Sequence, residues 1–400
     1  MKIGAGLLLA STVVFSGCSG FWDPPANSGG GGGTTPTTLS SGVFYVVNET
    51  TKQLVGYSIN SGTLGAISGG TETFLAAPSC IAIAPSGGFL YVGTTGGIYM
   101  YSIGSSGALT AGSNGGIFNS GELPAAMEVD PSDSWLIAAY INGSNQVELD
   151  AIPISATNGS YIGAPGAALP SQAFSIANAT VKQIAISRDG ANVFVALGTG
   201  GTIVVPFNSG NSNPLGATAR TIAPQTSGGS ALSVAVDPTT RFFYIGETLV
   251  NSSATPGGLR VFSYSSLSSG TLAQITGSPI ASGGLSPNAI LPLGSGDFVY
   301  VANGQGPTTA GNIAWFSLSA SGSTYTIAAG KTIGAGIQPM GLAEDNTKAF
   351  VLAVSTGGST TSGNPDLDAY TISSGALTLA VKSVTGTDPV GAVAVAAVPK

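Results

Sequence analysis

The sequence predicts an all-β chain folded as seven four-stranded antiparallel blades in a closed ring, and three observations carry that expectation. The first is composition: of 400 residues, 61 are Gly and 23 Pro, and only 7% are charged, against roughly 25% in an average soluble domain. Gly, β-branched and short hydroxylated side chains all rank low in helix propensity, while a hydrophobic fraction of 43% is ample for a large core. The second is a short apolar, aromatic-rich run that returns seven times at a spacing of roughly 46 to 57 residues, near that of propeller blades. The third is a surplus apolar run at the C-terminus, PVGAVAVAA at 389–397, which has no blade of its own to complete.

Residues 1–17, MKIGAGLLLASTVVFSG, place one cation, Lys2, before an apolar run from Ile3 to Phe15. The run is shorter than the ~20 residues a membrane span needs and has the layout of a secretory signal peptide. The following segment, 18–41, holds five consecutive glycines with Thr and Pro and almost nothing apolar after Trp22. It cannot bury a core and reads as a flexible linker. The propeller then occupies 42–400.

Within it, the recurring strand, here called b, appears as FYVV (44–47), FLYV (89–92), WLIA (135–138), VFVA (193–196), FFYI (242–245), FVYV (298–301) and FVLA (350–353). A more clearly alternating strand c follows each, for example IYMYSI (98–103), LRVFSY (259–264) and IAWFSL (313–318). A weaker strand d follows six of them after a Gly- or Asn-containing turn, as in SGTLGAI (61–67), SGALTA (106–111), SGTLAQI (269–275) and SGALTLA (374–380). Strand a precedes b and opens at Pro78, Pro124, Pro287, Pro339 and Pro389, where a missing amide donor costs least. A small residue stands two places on: Cys80, Ala126, Ala289, Gly341 and Gly391. The first b–c–d set, 44–67, has no strand a before it, so the run at 389–397 is expected to supply it and close the ring, which leaves only short, protected edges.

Two resemblances follow from these residues. Phe15-Ser16-Gly17-Cys18 resembles the lipobox of bacterial lipoproteins, with Phe15 where that family usually has Leu. The resemblance implies a lipidated Cys18 that anchors the protein on a membrane, with Ser19 after it directing an anchored protein to the outer membrane of a Gram-negative host. An ordinary cleaved signal with a chance cysteine is the alternative. The repeated unit, P-x-small-apolar, a turn with Asp-Pro or Ser-Gly, F-x-Y-V-x-N and a closing S-G-x-L, resembles the seven-bladed lactonase-type and YVTN-type propellers over about 43–400. That family implies hydrolysis of a sugar lactone such as a 6-phosphogluconolactone, a reaction that wants a base for water, donors for the oxyanion and, for a phosphorylated substrate, clustered cations.

Charge and side-chain inventory bound the function. A net charge of −7 with only 11 Lys and Arg leaves no basic patch, so no nucleic-acid partner is expected. There is no His, which removes the commonest general base and metal ligand. No acidic loop has EF-hand spacing, and neither metal nor cofactor is expected. Two carboxylates stand as candidate bases: Glu128, which takes the place of Ala82 and Ala343 on strand a and is expected near the channel with a shifted pKa, and Glu247. The b–c loops lengthen late in the chain (246–258, 303–312, 355–366) on the face where channel ligands enter. Asn48, Glu49, Glu247, Asn303, Gln305, Asn312 and Asp366 are the candidate binding residues there, with Asp368 close by. Their chemistry suits a glycan or protein ligand. Cys80 reads as a small buried packing residue. The resulting expectation is a monomeric, lipid-anchored binding or scaffolding module of the cell envelope; a lactonase-like hydrolase with a carboxylate base and a structural surface protein are the alternatives.

Overall fold

The computed structural model describes residues 42–112, 117–119, 123–163, 168–251, 256–322, 324–358, 363–384 and 387–399. Cys18, the signal segment and the linker lie outside the described residues. The described chain forms seven sheets whose core in each case is four antiparallel strands in the order a-b-c-d. In the second, Ile117–Asn119 pairs with strand c as well. The protein is a seven-bladed β-propeller.

The ring closes as the surplus strand predicts. Ala392–Ala397 is strand a of blade 1 and pairs with Gly42–Asn48, its strand b. The remaining inner strands are Pro78–Ile83, Ala126–Val129, Gln183–Ile186, Ala231–Val236, Ser286–Pro292 and Pro339–Glu344, for blades 2 to 7. Because Gly42 opens a b strand and Ala397 closes an a strand, the chain enters and leaves the ring on the face of the a–b turns. The b–c and d–a loops share the opposite face.

Register in blade 1 departs from the sequence pattern. Asn48 pairs with Ala392 as Asn303 pairs with Pro287, so Ala392, not Pro389, takes the place of the repeated proline. Gly391 has φ +71°, a conformation that glycine adopts readily and that a regular strand does not contain. It belongs to the preceding loop. In blade 5 the run TLAQI contributes only a bridge, Phe262 to Gln274, after the 3-10 turn Tyr264–Leu267, and Ile280–Ala281 is strand d.

In three blades the repeated Tyr meets a glycine of the repeated turn, whereas the Tyr244 hydroxyl has no such partner. Tyr45, Tyr91 and Tyr300 are fully buried, and a buried hydroxyl needs a partner. Each donates to a glycine carbonyl in the c–d turn of the next blade: Tyr45 to Gly107 (2.6 Å), Tyr91 to Gly159 (2.7 Å) and Tyr300 to Gly375 (2.8 Å). All three glycines have positive φ, and a Cβ on Gly375 would lie 2.1 Å from Phe298. The motif is therefore a joint between blades. Tyr300→Phe leaves the Gly375 carbonyl unpaired and is expected to destabilise by about 1–3 kcal/mol, read as a lower denaturant midpoint with an unchanged slope; an unchanged midpoint would remove this joint from the account.

A second device closes the a–b turns. Asp130 accepts the backbone N–H of Ser132, Ser134 and Trp135 at 2.9, 2.8 and 2.6 Å. Asp345 accepts those of Thr347, Ala349 and Phe350 at 3.1, 2.9 and 2.7 Å. Both are fully buried, and their role is to satisfy turn amides on the face away from the loops.

Candidate functional site

The channel mouth is built by one recurring irregularity. Near its start, strand a carries an extra residue opposite b in blades 1, 2, 5, 6 and 7, at Val393, Ser79, Leu232, Asn288 and Met340. Ala125 and Lys182 hold the same place in blades 3 and 4, just before their strands, donating to the carbonyls of Ala139 and Ala196. A bulge re-aims a side chain and ends regular pairing, which is why bulges recur beside functional sites. Seven such positions ring the mouth, and Lys182 is the cation among them.

Two cavities open at this ring and share Lys182. One, of about 260 Å³, lies across blades 2 to 4 between Leu123, Pro124, Ala125, Ile141 and Val181. The other, of about 230 Å³, lies across blades 4 to 7 between Leu232, Asn288, Gln338 and Met340. Burial pushes the Lys182 ammonium below its ordinary value, as expected where apolar walls replace water.

Below the mouth the inner strand edges carry N–H and C=O groups, and side chains from neighbouring blades satisfy several of them. Ser79 donates to Pro124 O (2.7 Å), Ser233 to Pro287 O (2.7 Å) and Asn288 to Pro339 O (2.9 Å). Gln183 Oε1 accepts from Val234 N (3.0 Å), and Glu128 Oε2 from Ile186 N (3.0 Å). Glu128 thus belongs to a belt of inter-blade bonds. It lines a small chamber of about 40 Å³ with Ile186, Val234, Ile290 and Leu291. Its side chain is partly exposed to that chamber. Burial drives its pKa up to about 8, with the Ile186 bond opposing. The Ile186 amide that Glu128 accepts from stands four residues, about 13 Å of backbone, along the strand from Lys182, and the two side chains line different cavities.

The other sequence candidates are mostly structural. Glu247 does not face the loops: it is fully buried, paired with Arg260 at 2.7 Å and bonded by Gln225 N at 2.8 Å. Burial still raises its pKa, with Arg260 opposing. Its place at the end of strand b is that of Asn48, Thr94, Asn303 and Ser355 in their blades, a buried polar position that braces loops. Asn303 donates to Ser282 O (2.7 Å) and to Asn312 Oδ1 (3.1 Å), while Asn312 donates to Gly283 O (2.9 Å). Asp366 accepts from Gly358 N (2.7 Å) and Gly391 N (3.0 Å) and is buried; burial takes it up to about 7. Asp368, also raised by burial, to about 6, receives the Tyr370 hydroxyl. Asn48 is buried at the blade 1 joint. Glu49 is exposed and Gln305 partly so, and neither lines the cavities above. The long loops are also shorter than the sequence suggests, because strand b runs on to Leu249 in blade 5 and Gly304 in blade 6. Cys80 is buried, its sulfur 3.6 Å from Pro124 O, and packs where a Cβ on Gly93 would lie 2.6 Å away.

Sequence reasoning missed the residues that line the mouth. Lys182, Asn288, Gln338 and Met340 lie at or beside the first residues of strand a, and a lone Lys among scattered cations carries no signal until the register places it at the bulge. The alignment on proline did contain the clue, since the residue after Pro78, Pro124, Pro287 and Pro339 is in every case a ring member.

Four acids, Asp366 and Asp368 buried and Glu128 and Asp133 partly so, hold protons that the unfolded chain releases: Glu128 (about 8), Asp366 (about 7), Asp368 (about 6) and Asp133 (about 6). Where a folded-state carboxyl binds its proton more tightly than the unfolded one, stability falls as pH rises between the two values. Thermal stability is therefore expected to fall from about pH 5 to pH 8. Glu128→Gln keeps an acceptor for Ile186 N and should make the fall shallower throughout that range, most visibly from about pH 7 to 8, where Asp368 and Asp133 are already ionised in the fold. Thermal midpoints at stepped pH read this directly, and parallel curves for the two proteins would contradict it.

The chain matches no protein-family model and no curated protein. Among solved structures it is similar to a candidate 6-phosphogluconolactonase of Bacteroides fragilis, at 16% identity over 90% of this chain and 98% of that one, with a TM-score of 0.66. It is also similar to another from Bacteroides uniformis, at 17% identity over 90% and 100%, TM-score 0.68. The periplasmic gluconolactonase of Pseudomonas aeruginosa gives 16% identity over 90% and 99%, TM-score 0.65. At such identities the likeness is one of fold.

Proposed function

We propose that the protein is a lactonase-like hydrolase that takes a small lactone or ester at the channel mouth, with Lys182 at the carbonyl. The observation that carries this reading is the ring of bulge residues, which sets one cation between two cavities large enough for a small molecule; the fold shared with proteins bearing lactonase names supports it. The ammonium stabilises negative charge on the carbonyl oxygen as water adds to the acyl carbon. The ring C–O bond then breaks, the departing oxygen takes a proton, and a hydroxy acid is left. A single Lys matches a neutral or singly charged substrate better than a phosphorylated one, which calls for clustered Arg or Lys. Initial-rate titration of the acid released from a panel of lactones tests this: turnover above the uncatalysed rate on at least one unphosphorylated lactone is the expected result, and none across the panel would refute hydrolysis.

A binding module without catalysis is the second reading, and a specific observation favours it. Glu247 and Asp366 are committed to structural bonds, and Glu128 accepts from Ile186 N and lines a different cavity from Lys182. Under either reading the lipid anchor at Cys18 is part of the proposal. The chain joins the ring at Gly42 on the a–b face, opposite the mouth, so a tether on the outer membrane or any other would attach there. Cys18→Ser is expected to move the protein from the membrane fraction to the soluble one; persistence in the membrane would remove the anchor.

A further inference from the structure

The two cavities that meet at Lys182 differ in chemistry, the one across blades 2 to 4 being the more apolar. The one across blades 2 to 4 is walled by Leu123, Pro124, Ala125, Ile141 and Val181. Two polar residues of that wall are turned into the protein: Ser79 donates to Pro124 O (2.7 Å), and the Thr94 hydroxyl donates to Gly97 O (2.8 Å) and accepts from Gly96 N (3.0 Å); Thr95 and Thr180 stand at its exposed edge. Leu123, 55% exposed, extends the apolar surface to the lip. The cavity across blades 4 to 7 adds Ser286, Asn288 and Gln338, beside the backbone of Gly304 and Gly306, to the apolar Leu232 and Met340. Asn288 spends one amide hydrogen on Pro339 O (2.9 Å) and retains further donor and acceptor capacity. Gln338 stands at φ +52°, a strained conformation for a side-chain-bearing residue.

We infer that the ligand is an amphiphile: a lactone or ester whose carbonyl sits at Lys182, whose apolar chain fills the cavity of blades 2 to 4 and whose polar end lies against Asn288 and Gln338. This rests on the reading of the mouth as a small-molecule site and names the class of molecule it takes. A purely polyhydroxylated lactone leaves the Ile141–Val181 side wetted and gains nothing from it, whereas an alkyl chain there removes apolar surface from water on both partners. The walls of the two cavities thus select for chain at one end and hydrogen-bonding groups at the other.

The probes are γ-butyrolactone, γ-octalactone and γ-dodecalactone, which share a ring and differ in chain, with D-glucono-1,5-lactone beside them; binding to residues 42–400 is followed by calorimetry. Affinity is expected to rise along the alkyl series by up to about fourfold per buried methylene, from about 0.8 kcal/mol each. Ile141→Asp should abolish that rise; Leu123→Asp, at the exposed lip where folding is not at stake, should blunt it. Tight binding of the gluconolactone with a flat alkyl series and silent variants would overturn the amphiphile and leave the small-lactone reading standing. Binding of none of the four would overturn both.

Discussion

Removal of residues 388–400 is expected to abolish the cooperative folding of the propeller. The deletion takes away strand a of blade 1, whose six residues Ala392–Ala397 are all buried. Its two faces serve different neighbours: Val395, Ala392 and Ala397 pack with Leu352, Val354 and Leu367 of blade 7, while Val393, Ala394 and Ala396 pack with Ile81, Leu90 and Val92 of blade 2. Val393, Val395 and Val398 alone bury apolar surface worth roughly 5–9 kcal/mol, comparable with the 5–15 kcal/mol that separates folded from unfolded domains. The deletion also strips Phe44–Asn48 of its inner partner and creates an unpaired edge. Calorimetry on the truncated chain should show no native-like transition, and adding a peptide of residues 388–400 should restore part of it. A truncated protein that melts as the intact one would mean that the ring does not depend on this strand.

Breaking the ion pair of blade 5 should have the next largest effect. Glu247 and Arg260 are both buried and 2.7 Å apart, and Arg260 also donates to Ala223 O (2.9 Å) and lies 4.8 Å from the Phe262 ring centre. Arg260→Met strands a buried carboxylate, and loss of one partner from such a pair typically costs 3–5 kcal/mol. The carboxyl can relieve that cost by taking up a proton, so the loss should be greatest at high pH and smaller at low pH. Replacing both residues, Glu247→Leu with Arg260→Met, removes both desolvation costs and should be less damaging than Arg260→Met alone. Urea denaturation of the single and double variants at two pH values checks all three statements. A double variant as unstable as the sum of two singles would show that the residues act separately.

Most of the architecture was legible because a propeller writes its core seven times. The b strands are apolar at nearly every position because both faces pack against neighbouring blades, and FYVV, FVYV and their relatives advertise that directly. Ring closure was readable from arithmetic, one strand a too few at the start and one too many at the end. What sequence could not place was local. Gly391 looked like the small residue of a strand until its positive φ moved the register by three. Loop acids such as Glu247 and Asp366 looked like surface groups, because a sequence shows neither the Arg260 opposite one nor the amides gathered around the other. Glu128 was expected near the channel and stands there, but its place in a different cavity from Lys182 comes only from the fold. Lys182 carries the candidate site through position alone, at the one ring member that is a cation.

The measurement that bears most directly on the account is the ratio of kcat/KM for wild-type and Lys182→Met protein on the best substrate of the lactone panel, with thermal midpoints compared to show that both fold. The side chain of Met is near Lys in length and suits an apolar wall, so the substitution removes charge with little change of shape. The account predicts a loss of 100-fold or more, the order of effect that follows removal of one oxyanion donor, about 2.7–4 kcal/mol, with both proteins folded at the assay temperature. Equal kcat/KM for the two folded proteins would place the chemistry elsewhere and contradict the site at the mouth.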